Sequence, residues 1–270
     1  MRRPVGLFLL CIAVACGFSQ AQTTSGLNAP QLFEKGMNAL VGSRATQSGF
    51  DALEYFRRSA DLGYAPAQVV LGYFYDTGTF APKEPGQALS WYKKAAQQDD
   101  PLAQWLAGRI VYEGTGQARD LNEASTLLQQ SAEHGNPFGQ YLLGAIKLER
   151  QKYSDGAELM RKAAEQGLPQ AQLQWALLLR DGRGVPQDKF ESYVWMLLST
   201  RAGHRAAVGN DLQALEADLG TNETEHAKSR SLELEGSATR AVAAHGCTGW
   251  PGEFAVMPTP PPPDLQRFCR

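Results

Sequence analysis

Residues 67–104 read AQVVLGYFYDTGTFAPKEPGQALSWYKKAAQQDDPLAQ: the pair that opens the stretch, Ala67-Gln68, closes it again as Ala103-Gln104. The pair recurs as Gly139-Gln140 and Ala171-Gln172, giving spacings of 36, 36 and 32 residues. Self-similarity at a fixed period of this length is the mark of a stacked repeat. With the first residue of each pair as position 1, position 6 is Gly72, Gly108, Gly144 and Ala176, and one period upstream it is Gly36. Position 12 is Gly42, Gly78, Gly114, Arg150 and Gly182, and Gly116 and Gly184 add a second glycine at position 14. The second half of the unit repeats as well. Ala52, Ala88, Ala124 and Ala157 are followed three residues later by Tyr55, Trp91, Leu127 and Met160, then by Ser59-Ala60, Ala95-Ala96, Ser131-Ala132 and Ala163-Ala164. Gly63, Gly135 and Gly167 close their units, and Ser192, Trp195 and Gly203 continue the pattern in a last copy. Five units result, 31–66, 67–102, 103–138, 139–170 and 171–204.

Each unit reads as a helical hairpin. At 3.6 residues per turn, positions 1, 5, 9 and 12 share one face, so Ala67, Leu71, Tyr75 and Gly78 form a stripe to be buried, with position 6 small enough for close helix approach. Pro66, Pro101, Pro137 and Pro169 stand at or just before the start of the first helix, where a missing N–H costs nothing. The glycines after that helix supply the positive φ that a helix end and a tight turn require. Asp120 with Glu123, and Asp188 with Glu191, have capping-box spacing for the start of the second helix.

This text resembles the Sel-one-like (Sel1-like) repeat family, relatives of the tetratricopeptide repeats whose unit reads roughly A-x-x-x-L-G-x-x-Y-x-x-G-x-G-V-x-x-D and then A-x-x-W-x-x-x-A-A-x-x-G. Residues Ala171 to Asp188 and Trp195 to Gly203 carry the resemblance most closely, with Ala176 in place of the first glycine. The resemblance implies an all-α, right-handed α/α superhelix of about five helix-turn-helix repeats, with a concave face that holds other proteins. Residues 205–245 are expected to cap it as a helix pair: Leu212, Leu215 and Leu219 form a stripe, Gly220 stops it, and Asn222 with Glu225 can start a second helix. Residues 246–270 contain Pro258-Thr259-Pro260-Pro261-Pro262-Pro263, which reads as extended polyproline.

The chain has 270 residues, 28 acidic against 26 basic, 43% hydrophobic. That composition is globular, and the absence of basic runs argues against nucleic-acid binding, which needs clustered Lys and Arg. Residues 1–21 read as a secretory signal: Arg2 and Arg3, an apolar stretch from Val5 to Phe18, then Ser19-Gln20-Ala21 before Gln22. Residues 22–30 are then a flexible lead-in. An alternative reading makes Cys16 the acylated first residue of a lipoprotein. Both place the protein outside the cytoplasm, periplasmic or secreted in the first case and lipid-anchored in the envelope in the second. No other stretch offers the ~20 apolar residues of a membrane span. With no C-x-x-C motif, Cys247 and Cys269 are expected to pair as a disulfide in an oxidising compartment.

Catalytic motifs are lacking. Ser90-Trp91-Tyr92-Lys93 matches S-x-x-K, but these residues are the repeat's own second-helix text and no S-D-N or K-T-G accompanies them. His134, His204, His226 and His245 have no metal-ligand spacing. The reading is therefore of a non-enzyme with no cofactor and no metal, whose partner is another protein or peptide. Positions 3, 7 and 10 of the first helix lie opposite the small stripe and are expected to line the concave face. Their candidates for partner binding are Tyr73, Asp76, Trp105, Arg109, Tyr112 and Tyr141, of the aromatic and Arg types that concentrate binding energy. Gly36, Gly72, Gly108 and Gly144 are expected to be structural. The functional expectation is an exported interaction adaptor or regulator; the alternatives are a lipid-anchored structural component and, further off, a cell-wall-peptide enzyme.

Overall fold

A computed structural model describes residues 26–41, 46–201 and 205–245. The signal segment, Cys16, Gly42, Cys247, Cys269 and the Pro-rich run lie outside the described residues. Ten helices form five successive pairs: α1 (Ala29–Val41) with α2 (Thr46–Asp61), α3 (Ala65–Thr77) with α4 (Pro85–Ala96), α5 (Pro101–Glu113) with α6 (Leu121–Glu133), α7 (Pro137–Glu149) with α8 (Tyr153–Glu165), and α9 (Pro169–Asp181) with α10 (Lys189–Ser199). A long α11 (Arg205–His245) follows, interrupted at Gly220, whose φ of 74° and ψ of 174° are non-helical. Each helix packs on its neighbours in the chain, which is the contact pattern of an α-solenoid. No strand occurs among the described residues.

Local chemistry sets the helix ends. Pro66, Pro101, Pro137 and Pro169 all occupy the first positions of their helices. Gly78, Gly114 and Gly182 cap α3, α5 and α9 with φ of 81°, 71° and 64°, and each donates its N–H back to the carbonyl four residues earlier. The hairpin then closes in the same way four times. The backbone N–H groups of Glu84, Asp120, Lys152 and Asp188, just ahead of the second helices, donate to the carbonyls of Tyr75, Val111, Lys147 and Leu179. All four acceptors stand at position 9. This bond modifies the expected capping boxes. Asp120 accepts from the N–H groups of Asn122 and Glu123, and Asp188 from that of Glu191, but the N-cap N–H is already used by the first helix. Glu123 turns instead to Lys93 of the preceding repeat, 2.5 Å away.

The four glycines at position 6 each receive one large side chain from the second helix of the same hairpin. A Cβ built on Gly36 would lie 2.8 Å from the Phe56 ring, on Gly72 2.6 Å from the Tyr92 ring, and on Gly108 2.7 Å from Leu128. Gly144 faces Met160 at 3.2 Å in the same sense. Phe56, Tyr92 and Leu128 are completely buried, and burial of a side chain of this size stabilises by about 1.5–3 kcal/mol. The sequence pattern points to Tyr55, Trp91, Leu127 and Met160; in the first three copies the residue one place later enters the crossing, and in the fourth Met160 itself does. The core runs on from repeat to repeat in two clusters that share Phe138 as a partly buried member.

The terminal helix is tied down by apolar and polar contacts together. Leu215 and Ala227 are buried against the last repeat. The Tyr193 hydroxyl donates to Glu216, Lys189 pairs with Asp218 at 2.6 Å, and Arg201 pairs with Glu235 at 2.7 Å.

Candidate interaction face

The stripe at positions 3, 7 and 10 comes from α3, α5, α7 and α9, so its residues share a face that crosses repeats. Burial divides the six candidate residues. Tyr73 and Trp105 are only 4% and 7% exposed; Tyr73 lies in the core, and the Trp105 ring packs 4.8 Å from Phe138 of α7. These two hold neighbouring helices together. Trp105, at position 3, points toward the next hairpin, where its ring fills the inter-repeat space, and Tyr73, at position 7, is covered by the core. Asp76, Arg109, Tyr112 and Tyr141 remain partly accessible.

Asp76 and Arg109 form an ion pair across two repeats, α3 to α5, with side-chain exposures of 16% and 24%. Arg109 donates with its other terminal nitrogen to Glu113 at 2.9 Å, one turn further along α5. The guanidinium is thus fixed between two carboxylates. Burial disfavours its charge, but Asp76 and Glu113 outweigh that and hold its pKa above the ordinary arginine value. Beside it stands Tyr112, over whose ring Arg119 lies at 4.8 Å while donating to the Tyr112 carbonyl. Arg119 in turn forks onto both carboxylate oxygens of Glu149 in α7, at 3.1 and 2.8 Å. Tyr141 lies next in line; burial first, and then the neighbouring Tyr112, raises its phenol pKa. Arg180 pairs with Asp211 at 2.9 Å and carries the series of inter-repeat ion pairs into the terminal helix.

The sequence stripe did not include Tyr92, which enters this neighbourhood from the second helix. Its hydroxyl is buried without a hydrogen-bond partner. Burial, and after it the nearby Asp76 carboxylate, pushes its phenol well above the usual tyrosine value. The signal was available in the first three copies: the residue four places after the repeat's alanine is Phe56, Tyr92 and Leu128, so Tyr92 is the copy that adds a polar atom. Glu113, one turn after Arg109 on α5, was also missed, and so were Arg119 and Glu149, which are joined only by stacking of the repeats.

Lys93 of the S-x-x-K sequence is occupied by Glu123 and by Gln117, at 2.5 and 3.4 Å. Among the described residues no three His, Cys, Asp or Glu side chains gather in a metal-binding group. Also among the described residues, no helix is long and apolar enough to cross a membrane.

Stacked helix hairpins with a polar and aromatic stripe along the first helices define an α-solenoid of the repeat-scaffold type. The Sel1 repeat pattern matches residues 42–64, 65–100, 101–136, 137–168 and 169–204, more than half of the chain, and the chain belongs to the Sel1 repeat family. Proteins of this family are generally interaction scaffolds. The chain is similar to a Sel1 repeat protein from Oxalobacter formigenes of known crystal structure, at 25% identity and a TM-score of 0.63 over 77% of this chain and 84% of that one. It is also similar to c5321, a protective antigen of uropathogenic Escherichia coli strains with an SLR fold, at 24% identity and a TM-score of 0.48, covering 88% of this chain and 60% of that one. No curated protein matches the chain. The family pattern begins at residue 42, whereas the structure adds α1, which packs on α2 through Gly36 and Phe56 as the first helix of that hairpin.

Proposed function

We propose that this protein is an exported interaction adaptor, working in the periplasm or outside the cell, that grips a peptide or loop of another protein along the first-helix stripe. Export is read from the signal-like residues 1–21. The observation that carries the gripping surface is Arg109, held between Asp76 and Glu113 yet still accessible, with Tyr112 and Tyr141 alongside. Arginine and tyrosine in a fixed geometry lose little conformational freedom on binding, and such residues dominate interface energetics.

The test is an affinity capture from the envelope fraction, with the protein as bait and an Arg109→Ala/Tyr112→Ala variant beside it. The expected result is one enriched protein that the variant fails to retain while keeping its helical circular dichroism. Equal capture by the variant would place the site elsewhere. The intact mass of the bait recovered from the envelope reports whether residues 1–21 are removed or Cys16 is acylated.

A further inference from the structure

The Asp76–Arg109 contact joins position 10 of one repeat to position 7 of the next. The same register places Tyr112 with Ala145, and Leu148 with Leu177, at the corresponding sites, and it ends at Arg180, whose partner in α11 is Asp211 at 2.9 Å. One kind of site is therefore ionic at both ends of the stripe and apolar in between. Ala145, Leu148 and Leu177 are partly accessible and pack from outside on the second core cluster, with Tyr141 and Leu173 beside them. An accessible apolar centre bounded by charge has the anatomy of a binding interface.

The two charged ends have the same sign. Arg109 lies between Asp76 and Glu113, and Arg180 between Asp181 at 2.6 Å and Asp211 at 2.9 Å, so each end holds two carboxylates against one guanidinium. In the middle Arg119 and Glu149 cancel. Arg150 and Arg183 turn toward the second helices, where one donates to Asn122 and the other lies over Tyr153. Three of the four carboxylates are also the more open groups: the Glu113, Asp181 and Asp211 side chains are 40%, 37% and 38% exposed, against 24% and 31% for Arg109 and Arg180. Glu113 and Asp181 are the last residues of α5 and α9, where a helix favours a cation. The end at Arg109 holds one more unused acceptor, the buried and unpartnered Tyr92 hydroxyl, whose charged neighbours are Asp76 and Arg109.

Stacking sets the distance between the two ends. Arg109 of α5 and Arg180 of α9 stand two helix-to-helix steps apart, about 20 Å at roughly 8–10 Å per step. An extended chain covers that distance in about six residues at roughly 3.3 Å each, and its alternate side chains face one way. We infer that the stripe binds an extended partner segment with Lys or Arg at both ends and apolar residues between them, in the form cation-x-apolar-x-apolar-x-cation. One cation meets Asp76 and Glu113, the other meets Asp181 and Asp211, and the apolar pair lies over Leu148 and Leu177. This specificity rests on the adaptor reading proposed above and names the chemistry of the partner that reading requires. Opposite charge at both ends also fixes the register in which the segment lies.

Fluorescence anisotropy with three labelled peptides tests this on the full chain, at low ionic strength where exposed charges are least screened. The peptides are GKSLSLSKG, its isomer GKKSLSLSG with the lysines adjacent, and GESLSLSEG. The spaced-lysine peptide is expected to bind most tightly, with the glutamate peptide about tenfold or more weaker and the adjacent-lysine isomer between them. A Glu113→Gln/Asp211→Asn protein that keeps its helical circular dichroism is expected to lose about three- to tenfold of the affinity for the spaced-lysine peptide. Equal binding of the three peptides, binding of none, or unchanged affinity in that variant would each overturn the inference. Preference for the glutamate peptide, abolished by Arg109→Ala, would overturn the charge assignment while leaving the stripe an interaction surface. Capture of an envelope protein that the Arg109→Ala/Tyr112→Ala variant retains in full would instead overturn the adaptor reading, and this inference with it.

Discussion

A Cβ added to Gly72 would sit 2.6 Å from Cε1 of Tyr92, so the ring of α4 lies directly on the backbone of α3. The ring is completely buried and cannot retreat without moving the helix that carries it.

Gly72→Ala is therefore expected to destabilise the protein by about 1–3 kcal/mol through overpacking. Tyr92→Phe should act in the opposite sense. The hydroxyl it removes is buried and unpartnered, and relief of that desolvation is expected to stabilise by about 1–2 kcal/mol. Urea unfolding followed by circular dichroism checks both; equal midpoints for the two variants would contradict the crossing.

Two glycines of positive φ separate backbone strain from contact. At Gly63, with φ of 87°, an added Cβ meets nothing within 4 Å, whereas at Gly184, with φ of 79°, it meets the Tyr153 carbonyl carbon at 2.4 Å. Gly63→Ala should cost about 1 kcal/mol for the left-handed backbone alone. Gly184→Ala is expected to cost clearly more, since the turn after α9 presses on the start of α8; melting temperatures of the two variants measure the difference.

Asp100 caps α5 by accepting the N–H of Ala103, and burial raises its carboxyl pKa above the ordinary value. A raised folded-state pKa means that the folded protein binds the proton more tightly than the unfolded chain, so this group lowers stability as pH rises through the window between the two values. Asn136 caps α7 at the equivalent place with a neutral side chain. Asp100→Asn should therefore stabilise the protein at pH 7, and the advantage should shrink as pH falls through the raised folded-state value toward 3.8. Unfolding midpoints for both proteins between pH 7 and pH 3 check the sign.

Of the buried glutamines at position 2 of the second, third and fourth units, Gln68 and Gln140 meet a second glutamine and Gln104 does not. Gln98 donates to Gln68 at 2.9 Å and Gln166 to Gln140 at 2.8 Å, but the equivalent residue opposite Gln104 is His134. His134 bonds to the Gln130 carbonyl, and neither amide atom of Gln104 has a protein partner. His134→Gln should give Gln104 the same kind of partner and raise stability by about 1 kcal/mol. An unchanged melting temperature would show that the Gln104 amide is satisfied by other means.

Much of the hairpin was legible because its determinants are local. Pro101 at a helix start, Gly114 at positive φ and the Asp120 cap each act within a turn or two of the backbone, so spacing reveals them. The candidate face was legible only as a stripe. A 3.6-residue period says which side chains share a side of a helix, but not how deeply the next hairpin covers them, and so Tyr73 and Trp105 looked equivalent to Tyr112 and Tyr141.

By itself the sequence determined the period, the five hairpins and the family, since small residues at fixed intervals admit one close-packed arrangement of helix pairs. Tertiary structure alone decided that Asp76 meets Arg109 across 33 residues, that the Tyr92 ring closes over Gly72, and that Trp175, Trp195 and Leu234 surround one cavity. These relations depend on the rotation and translation between successive hairpins. That geometry is set by the summed packing of whole helix faces, which no single interval in the chain records.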